Sequence, residues 1–438
     1  AGFSSIARFI LAGSIRQCNF RGRGQTIGLS LNYSQFSRSA QVSFTEPYVF
    51  DRNISAGADV YRRDFNSFNF RSNERNTTFE QATTGVSYRL GVPLTEFMSL
   101  VGSYTLNYDE VSLDEDLFFS DLDGDGTREC DPLLAGRFLC DALGNRLSSI
   151  IGLSLAYNSL NSSLRPTRGR RVTLTTEFAG LGGDVRYLRF RGRAQQFWNV
   201  ANTGFIFSLA LEGGTIIPLQ DRGGVGVDDV LLTDRFFLGE PQFRGFDIRG
   251  VGPRILTQPY VLDAFGNNQL DDNGDPILIT DRNSIRDDAI GGRNYYLGRA
   301  ELEIPLGSGA RELGLRPSIF VDVGALWGVE QPILQDNPTG IPQTDGDGNP
   351  LFISADTGQI TTDPLATDGM TPNTRLIRTN SAIREVFLGD SPSPRITAGI
   401  GVNWNSPFGP FRIDFAQTIR KVEGDDDKQF TFNVGTQF

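Results

Sequence analysis

Apolar and polar residues alternate along most of this chain. In residues 393–404, isoleucine, alanine, valine and tryptophan occupy one face of the alternation, and arginine, threonine, glycine and asparagine occupy the other. A period of two predicts a β-strand with one apolar face. In residues 185–198 the polar face carries Arg189, Arg191 and Arg193. A row of arginines is very costly in an apolar core, so we expect this face to meet water.

About sixteen segments share this alternation, which extends from one end of the chain to the other. An even number of antiparallel strands is typical of the transmembrane barrels of bacterial outer membranes. The segments are predicted to start near residues 1, 8, 25, 37, 53, 75, 97, 148, 170, 185, 203, 291, 315, 393, 409 and 429.

The predicted connections are of two kinds. Several are tight turns rich in glycine, proline and asparagine, and three are long loops. Short turns on one rim and long loops on the other are the layout of a transmembrane barrel, periplasmic and extracellular respectively. The alternative is a soluble sandwich or barrel with its apolar faces turned inward. We therefore predict an all-β fold in which residues 1–438 form one antiparallel transmembrane barrel with long loops near 111–147, 215–290 and 328–392.

Composition removes several classes of function. The chain contains no histidine, which excludes the Ser-His-Asp and Cys-His triads and the commonest zinc ligand. Acidic residues exceed basic ones by 52 to 41, a net charge of −11, which argues against a nucleic-acid partner. No apolar run approaches the roughly eighteen residues of a membrane helix. A mean hydropathy of −0.24 is compatible with membrane strands, which alternate in character and leave no hydropathy peak.

Three stretches of the chain resemble parts of one known family. Phe243-Arg244-Gly245-Phe246 resembles the Val-Arg-Gly-Phe/Tyr loop motif of the BamA insertase superfamily, with phenylalanine in place of the first valine. Residues 318–327 resemble a strand of that family with a lumen-facing aspartate, here Asp322. Residues 406–438 are similar to its last two strands. With weaker similarities elsewhere in the expected order, the resemblance covers nearly the whole chain.

The resemblance implies a contact between the long loop and the barrel wall. Arg244 can pair bidentately with a carboxylate. Alternation places Asp322 and Glu301 on inward faces of neighbouring strands, and the resemblance favours Asp322 as the partner, with Glu301 nearby. Gly245 and Phe246 complete the motif. The alternative is a solvated loop arginine, which is the usual state of an isolated Arg-Gly pair.

The last predicted strand offers an apolar face to lipid and a polar face to the lumen. Glycine within a strand weakens it locally, and the first strand, around Ser4, is short. Few hydrogen bonds are then expected to close the barrel, and an unpaired strand edge can template an incoming strand. The alternative is an ordinary terminal strand. The residues expected at this seam are Ser4, Phe430, Phe432, Asn433, Gly435 and Phe438.

The resemblance implies a function in membrane assembly. Nascent outer-membrane β-barrel proteins would enter through the seam and pass into a perturbed lipid bilayer, driven by their own folding. No bond-breaking enzyme activity is expected. Family members carry periplasmic POTRA domains before the barrel and act with accessory lipoproteins, and we expect the same of the full-length protein. The alternatives are a translocation-assembly or two-partner-secretion transporter of the same superfamily, or a passive diffusion porin.

Three cysteines suggest one disulfide. Cys130 and Cys140 lie in a predicted extracellular loop, where disulfides persist. In the chain-entropy model, closing so short a loop stabilises by about 2.7 kcal/mol. Cys18, on the second strand, is expected to be a small core residue.

A calcium loop is suggested just before the first of these cysteines. The spacing of acidic residues and glycines matches an EF-hand loop over its first nine positions. The twelfth position carries Pro132 where a bidentate glutamate should stand, so an acidic turn is the favoured alternative. No other cofactor is expected. The calcium ligands would be Asp121, Asp123, Asp125 and Glu129.

Overall fold

The computed structural model describes residues 2–4, 8–71, 74–121, 127–163, 165–200, 203–263, 265, 267–281, 284–306, 314–345, 349–377, 381–406 and 409–434. Within these ranges no helix is both long enough and apolar enough to cross a membrane. The helices are single turns or little more, α1 (Glu115–Phe118), α2 (Pro132–Ala135) and α3 (Arg137–Ala142).

Strands dominate the described part of the chain. They are β1 (Gly2–Ser4), β2 (Arg8–Phe20), β3 (Gln25–Ser34), β4 (Ser37–Glu46), β5 (Ser55–Arg71), β6 (Glu74–Pro93), β7 (Met98–Ser112), β8 (Phe119–Ser120), β9 (Glu129–Cys130), β10 (Gly144–Asn158), β11 (Gly169–Gly183), β12 (Tyr187–Val200), β13 (Phe205–Pro218), β14 (Arg254–Pro259), β15 (Arg286–Ala289), β16 (Asn294–Glu303), β17 (Leu315–Trp327), β18 (Phe352–Ile353), β19 (Ile360–Thr361), β20 (Thr374–Arg375), β21 (Ile383–Leu388), β22 (Arg395–Ser406), β23 (Gly409–Arg420) and β24 (Phe430–Val434).

The long strands form a closed antiparallel barrel. In spatial order the described strands of the barrel are β1, β2, β3, β4, β5, β6, β7, β10, β11, β12, β13, β16, β17, β22, β23 and β24, so each strand neighbours the next barrel strand along the chain. β1 pairs with both β2 and β24, which closes the ring. The predicted all-β barrel is therefore confirmed.

The apolar face of the strands is turned outward. Ile400 on β22 is 61% exposed and Ile419 on β23 is 64% exposed. Thr397, on the opposite face of β22, is fully buried. Exposed apolar residues and buried polar ones are the reverse of a soluble barrel and fit a wall that faces lipid. One expectation fails here, because Cys18 on β2 is exposed and is not a core residue.

The three long links lie on the same rim. In an up-and-down barrel successive links alternate between the two rims. The links 113–143, 219–293 and 328–394 are an even number of strands apart, so they share one rim with the link 421–429. The links on the opposite rim include the short turns 21–24 and 94–97.

The long links fold over and into the barrel. β14, from link 219–293, pairs with β21 from link 328–394. Arg222 of link 219–293 donates two 2.8 Å hydrogen bonds to Asp141 of link 113–143. Buried apolar side chains of link 219–293 form one cluster with inward-facing leucines of the barrel wall. The cluster includes Phe236, Phe243 and Phe246 of the link and Leu297 and Leu326 of the wall. The barrel interior therefore contains a packed loop.

Candidate functional site

Arg244 of link 219–293 lies against the inner wall of the barrel. Its Nε donates to Asp322 Oδ2 at 2.8 Å, and its Nη2 donates to Asp322 Oδ1 at 2.6 Å. Its Nη1 donates to Glu301 Oε2 at 2.7 Å. The guanidinium carbon also lies 3.5 Å from the ring centroid of Phe320. Two carboxylates and one aromatic face, all from β16 and β17, hold this one side chain.

Two charged side chains of β23 extend the contact. Arg412 Nε is 2.8 Å from Asp414 Oδ2, and Arg412 Nη2 is 3.4 Å from Glu301 Oε2. We call Arg244, Glu301, Phe320, Asp322, Arg412 and Asp414 the anchor cluster. Arg412 and Asp414 were not predicted from the sequence as site residues. Their inward position on the alternating strand was visible, but no local pattern connects them to a loop residue far away in sequence.

The backbone of the motif is fixed as firmly as its arginine side chain. Thr397 Oγ1 donates to the carbonyl of Arg244 at 2.8 Å, and Thr418 Oγ1 donates to the carbonyl of Gly245 at 3.1 Å. Gly245 has φ +88°, and a Cβ at this position would lie 2.7 Å from Thr397 Cγ2. A side chain therefore cannot fit between the loop and β22 unless the wall moves.

The aromatic residues of the motif pack on each other. The rings of Phe243 and Phe246 meet edge to face with centroids 4.7 Å apart, and both side chains are buried. Burial of two phenylalanines contributes several kcal/mol to docking of the loop, of the order of 2 kcal/mol each. This packing and the charged contacts act together on the same segment.

A second buried ion pair holds two more links to the wall. Arg395, at the start of β22, places its Nε 2.9 Å from Asp425 Oδ2, and neither side chain has exposed surface. Arg395 Nη2 also donates to the carbonyl of Gly389 at 2.8 Å, while the amide of Val422 donates to Asp425 Oδ2 at 2.7 Å. This pair was not predicted from the sequence, because nothing in the run of aspartates at 425–427 distinguishes the buried one.

Electrostatics favour the charged form of the loop arginine. Burial alone lowers the pKa of Arg244. The hydrogen bonds to Asp322 and the negative charges of Asp322 and Glu301 more than offset this and hold the pKa above its ordinary value. The guanidinium therefore stays charged where it meets the wall.

The predicted seam lies between β1 and β24. The pairing comprises Phe3 with Val434 and Ser4 with Asn433. By comparison, β16 and β17 are paired over ten residues, from Asn294 with Trp327 to Glu303 with Ser318. The described part of the seam thus comprises fewer residue pairs than the join of β16 with β17.

The seam residues divide between the two faces of β24. Phe430 is 55% exposed, while Thr431 and Asn433 are 6% and 4% exposed and face inward. Phe432 is half-buried. Gly435 and Phe438, also predicted for the seam, lie outside the described residues.

The remaining predicted residues lie in link 113–143. Cys130 and Cys140 form a disulfide, as predicted. Asp121 and Glu129 are exposed, while Asp123 and Asp125 lie outside the described residues. Over the residues that can be placed, no group of three or more potential ligands is arranged to hold a metal ion. Calcium binding therefore stays a prediction.

Nearly the whole barrel matches a known protein family. Residues 19–438 match the Omp85 superfamily domain. The chain belongs to the Omp85 superfamily. As in its bacterial relatives, the barrel is a component of the outer membrane.

Two relatives within the Omp85 superfamily align with the whole chain. An outer membrane protein assembly factor BamA from Neorickettsia risticii is 25% identical over 437 residues, which is all of this chain and 44% of the relative. The BamA of Neisseria meningitidis serogroup B is 23% identical and covers all of this chain and 46% of the relative. The chain therefore spans about half the length of the curated relatives it matches.

A solved structure supports the same fold. BamA from Haemophilus ducreyi lacking POTRA domains 1–3 superposes with a TM-score of 0.64 and 20% sequence identity, covering all of this chain and 69% of that chain. At this identity the likeness establishes the barrel fold and no more.

Proposed function

We propose that this chain is the membrane barrel of an outer-membrane protein insertase, in which nascent β-barrel proteins fold and enter the bilayer through the seam between β1 and β24. The names of the two full-length relatives, both assembly factors, support this proposal. The relatives are about twice as long, so POTRA domains and accessory lipoproteins belong to the proposal too.

The small number of described residue pairs at the seam is the observation that carries the proposal. The β1–β24 join has two described residue pairs, whereas β7 and β10 are paired over fourteen. Opening the described part of the seam therefore breaks only a few backbone hydrogen bonds, and the edges that it exposes in lipid have to find new partners. Opening any other described join between β2 and β22 breaks several times as many of these bonds.

An open seam would act as a template for a client strand. Unpaired backbone groups in lipid are expensive, so an exposed edge favours pairing with any available strand. A client strand that pairs with this edge satisfies the backbone groups of the barrel edge and those along one side of the client strand. The free energy for insertion then comes from the client's own folding, and no bond needs to be broken by the barrel.

The occupied lumen argues against a passive diffusion porin. Link 219–293 is attached to the wall through Arg244 and the packed Phe243 and Phe246. A loop held in this way obstructs the water-filled path that a porin requires. We therefore expect low conductance from the purified barrel.

A cross-link across the seam tests the proposal. Ser4 and Asn433 are directly paired, so cysteines at these two positions meet the Cα separation that a disulfide requires. The S4C/N433C variant is made in the full-length protein with Cys18→Ser and is reconstituted in lipid vesicles. It should insert a client barrel when the engineered cysteines are reduced and fail to do so when they are oxidised.

A second cross-link serves as the control. Ser154 on β10 and Thr175 on β11 are also directly paired, with hydroxyls 3.2 Å apart, but lie far from the seam. S154C/T175C should insert the client equally well in both redox states, which also controls for reduction of Cys130–Cys140. Equal insertion by oxidised and reduced S4C/N433C would show that the seam is not the active element.

A further inference from the structure

A second arginine of the inserted loop contacts the opposite wall of the barrel. The guanidinium carbon of Arg249 lies 4.3 Å from the ring centroid of Phe237, 5.7 Å from that of Phe65 and 5.9 Å from that of Phe79. Phe65 is on β5 and Phe79 is on β6, at the end of the hairpin nearest the long links. Three rings around one guanidinium form a cation–π site.

The surroundings hold Arg249 in this place. Its backbone has φ +56°, and its carbonyl accepts a 2.8 Å hydrogen bond from Nη2 of the buried Arg254. Burial lowers the pKa of Arg249 to about 10, which still leaves the guanidinium charged at neutral pH. Arg249 is half-buried, and a partly desolvated cation gains more from aromatic faces than one in water.

The segment between the two arginines is attached along its length to the link that precedes the last strand. The amide of Asp247 donates to the carbonyl of Asp426 at 3.0 Å, and the amide of Asp426 donates to the carbonyl of Gly250 at 2.8 Å. The amide of Lys428 donates to the carbonyl of Gly245 at 3.1 Å. We call residues 244–250 the bridging segment.

The bridging segment spans the arc of the barrel that contains the seam. Arg244 is fixed to β16 and β17 beside β22 and β23, and Arg249 to β5 and β6. Between β23 and β5 the ring consists of β24, β1, β2, β3 and β4. Five residues from Arg244 to Arg249 extend at most about 18 Å, so the segment limits the separation of its two attachment points.

We propose that Arg249 is a positioning residue that sets how far the barrel opens at the seam. When β1 and β24 separate, the two flanks of the seam stay connected through the bridging segment and its cation–π attachment to β5 and β6. Release of Arg249 would allow the flanks to move further apart. This inference rests on the proposed function only where it concerns client insertion, and the opening width itself is measurable without a client.

A distance measurement across the seam tests the inference. Leu11 on β2 and Ile419 on β23 both face outward, are 52% and 64% exposed, and lie near the rim of the long links. Spin labels at these positions, in full-length L11C/I419C with Cys18→Ser in lipid vesicles, report the width of the seam region. Arg249→Leu should shift the distribution of distances between the two labels to longer values. Because one cation–π contact is lost, the ratio of the widely opened to the narrowly opened form should rise roughly tenfold.

Three further variants make the result specific. Arg249→Lys keeps the cation and should restore most of the narrow form. Phe65→Leu weakens the same attachment from the wall side, at a partly exposed position that tolerates truncation, and should widen the distribution as Arg249→Leu does. Arg191→Leu is the control. Arg191 lies on β12, outside the arc, and its guanidinium carbon is 5.4 Å from the ring centroid of Phe236 in the same loop.

The outcomes separate this inference from the proposed function. Widening in Arg249→Leu and Phe65→Leu, with an unchanged distribution in Arg191→Leu, supports the inference even if the seam cross-link leaves insertion intact. An unchanged distribution in both Arg249→Leu and Phe65→Leu would overturn it. Equal widening in Arg191→Leu would also overturn it, because the effect would then reflect general loosening of the loop.

Discussion

The wall formed by β16, β17, β22 and β23 differs from the arc formed by β24 and β1–β4 in how it is held. The first carries the anchor cluster and the buried Arg395–Asp425 pair, with Asp322 and Thr397 fully buried. In the second, β2 is exposed on both faces between Leu11 and Asn19, and β1 meets β24 over two described residue pairs.

The difference shows that one barrel combines a fixed region and a weak one. Strand pairing within the wall is reinforced by side chains from an inserted loop, so the cost of separating these strands includes desolvated charges. At the seam itself, the described pairing of β1 with β24 involves only a few backbone hydrogen bonds. Opening of the barrel is therefore expected in the arc that contains the seam and not in the wall formed by β16, β17, β22 and β23.

The largest expected effect comes from removing the central carboxylate of the anchor cluster. Asp322→Ala leaves the buried guanidinium of Arg244 with Glu301 as its remaining carboxylate partner. Loss of one partner from a buried pair costs about 3 to 5 kcal/mol, and we expect the lower value because Glu301 still accepts one hydrogen bond. This loss in the free energy of unfolding is measured by urea unfolding. The folded fraction at each urea concentration is read from the band that migrates differently on a gel before and after heating.

A carboxylate on the same wall provides the control for that variant. Glu303 is 3.6 Å from Arg316, and both side chains are partly exposed, so Glu303→Ala should cost less than about 1 kcal/mol. If Asp322→Ala shifts the unfolding midpoint no more than Glu303→Ala does, the anchor cluster does not distinguish the wall from the seam arc.

A smaller effect is expected where the loop backbone approaches the wall. Gly245→Ala adds a Cβ 2.7 Å from Thr397 Cγ2 and 3.2 Å from Ala416 Cβ at a positive φ, which costs about 1 to 3 kcal/mol. Gly223→Ala in the same link has φ +67° with no atom within 4 Å, so it isolates the cost of the backbone conformation.

The difference between the two glycine variants measures how tightly the loop is held. Limited proteolysis of link 219–293 should be faster in Gly245→Ala than in Gly223→Ala, while strands of the wall stay protected. Equal proteolysis rates would mean that the close approach of the loop to β22 contributes nothing beyond backbone strain.

The smallest effect concerns calcium, at a place that belongs to neither region. If residues 121–129 bind calcium, the ion screens four carboxylates from one another and orders the segment before Cys130 without changing the wall or the seam. Calorimetric titration at millimolar calcium should then show uptake that Asp121→Asn abolishes. Absence of heat in the unsubstituted protein would leave the acidic turn as the correct interpretation.

Strand positions and faces were open to prediction because they depend on neighbouring residues in the chain. The predicted starts at residues 8, 25, 37, 315 and 409 coincide with the observed ones, and the largest difference is between the predicted 148 and Gly144. Alternation has a period of two, so it determines which side chains face lipid once any one of them is assigned. The inward direction of Asp322, Glu301 and Asn433 follows from the same rule.

The partners of those inward side chains were decided by the tertiary structure. The approach of Arg244 to Asp322 was expected from a resemblance and not from spacing, and the contributions of Arg412, Arg395 and Asp425 were missed. Arg249 gave no signal at all, since its aromatic neighbours Phe65 and Phe79 are more than 160 residues away in the sequence. Strand patterns arise from local geometry, but a loop that folds into a barrel meets residues that only closure of the ring brings within reach.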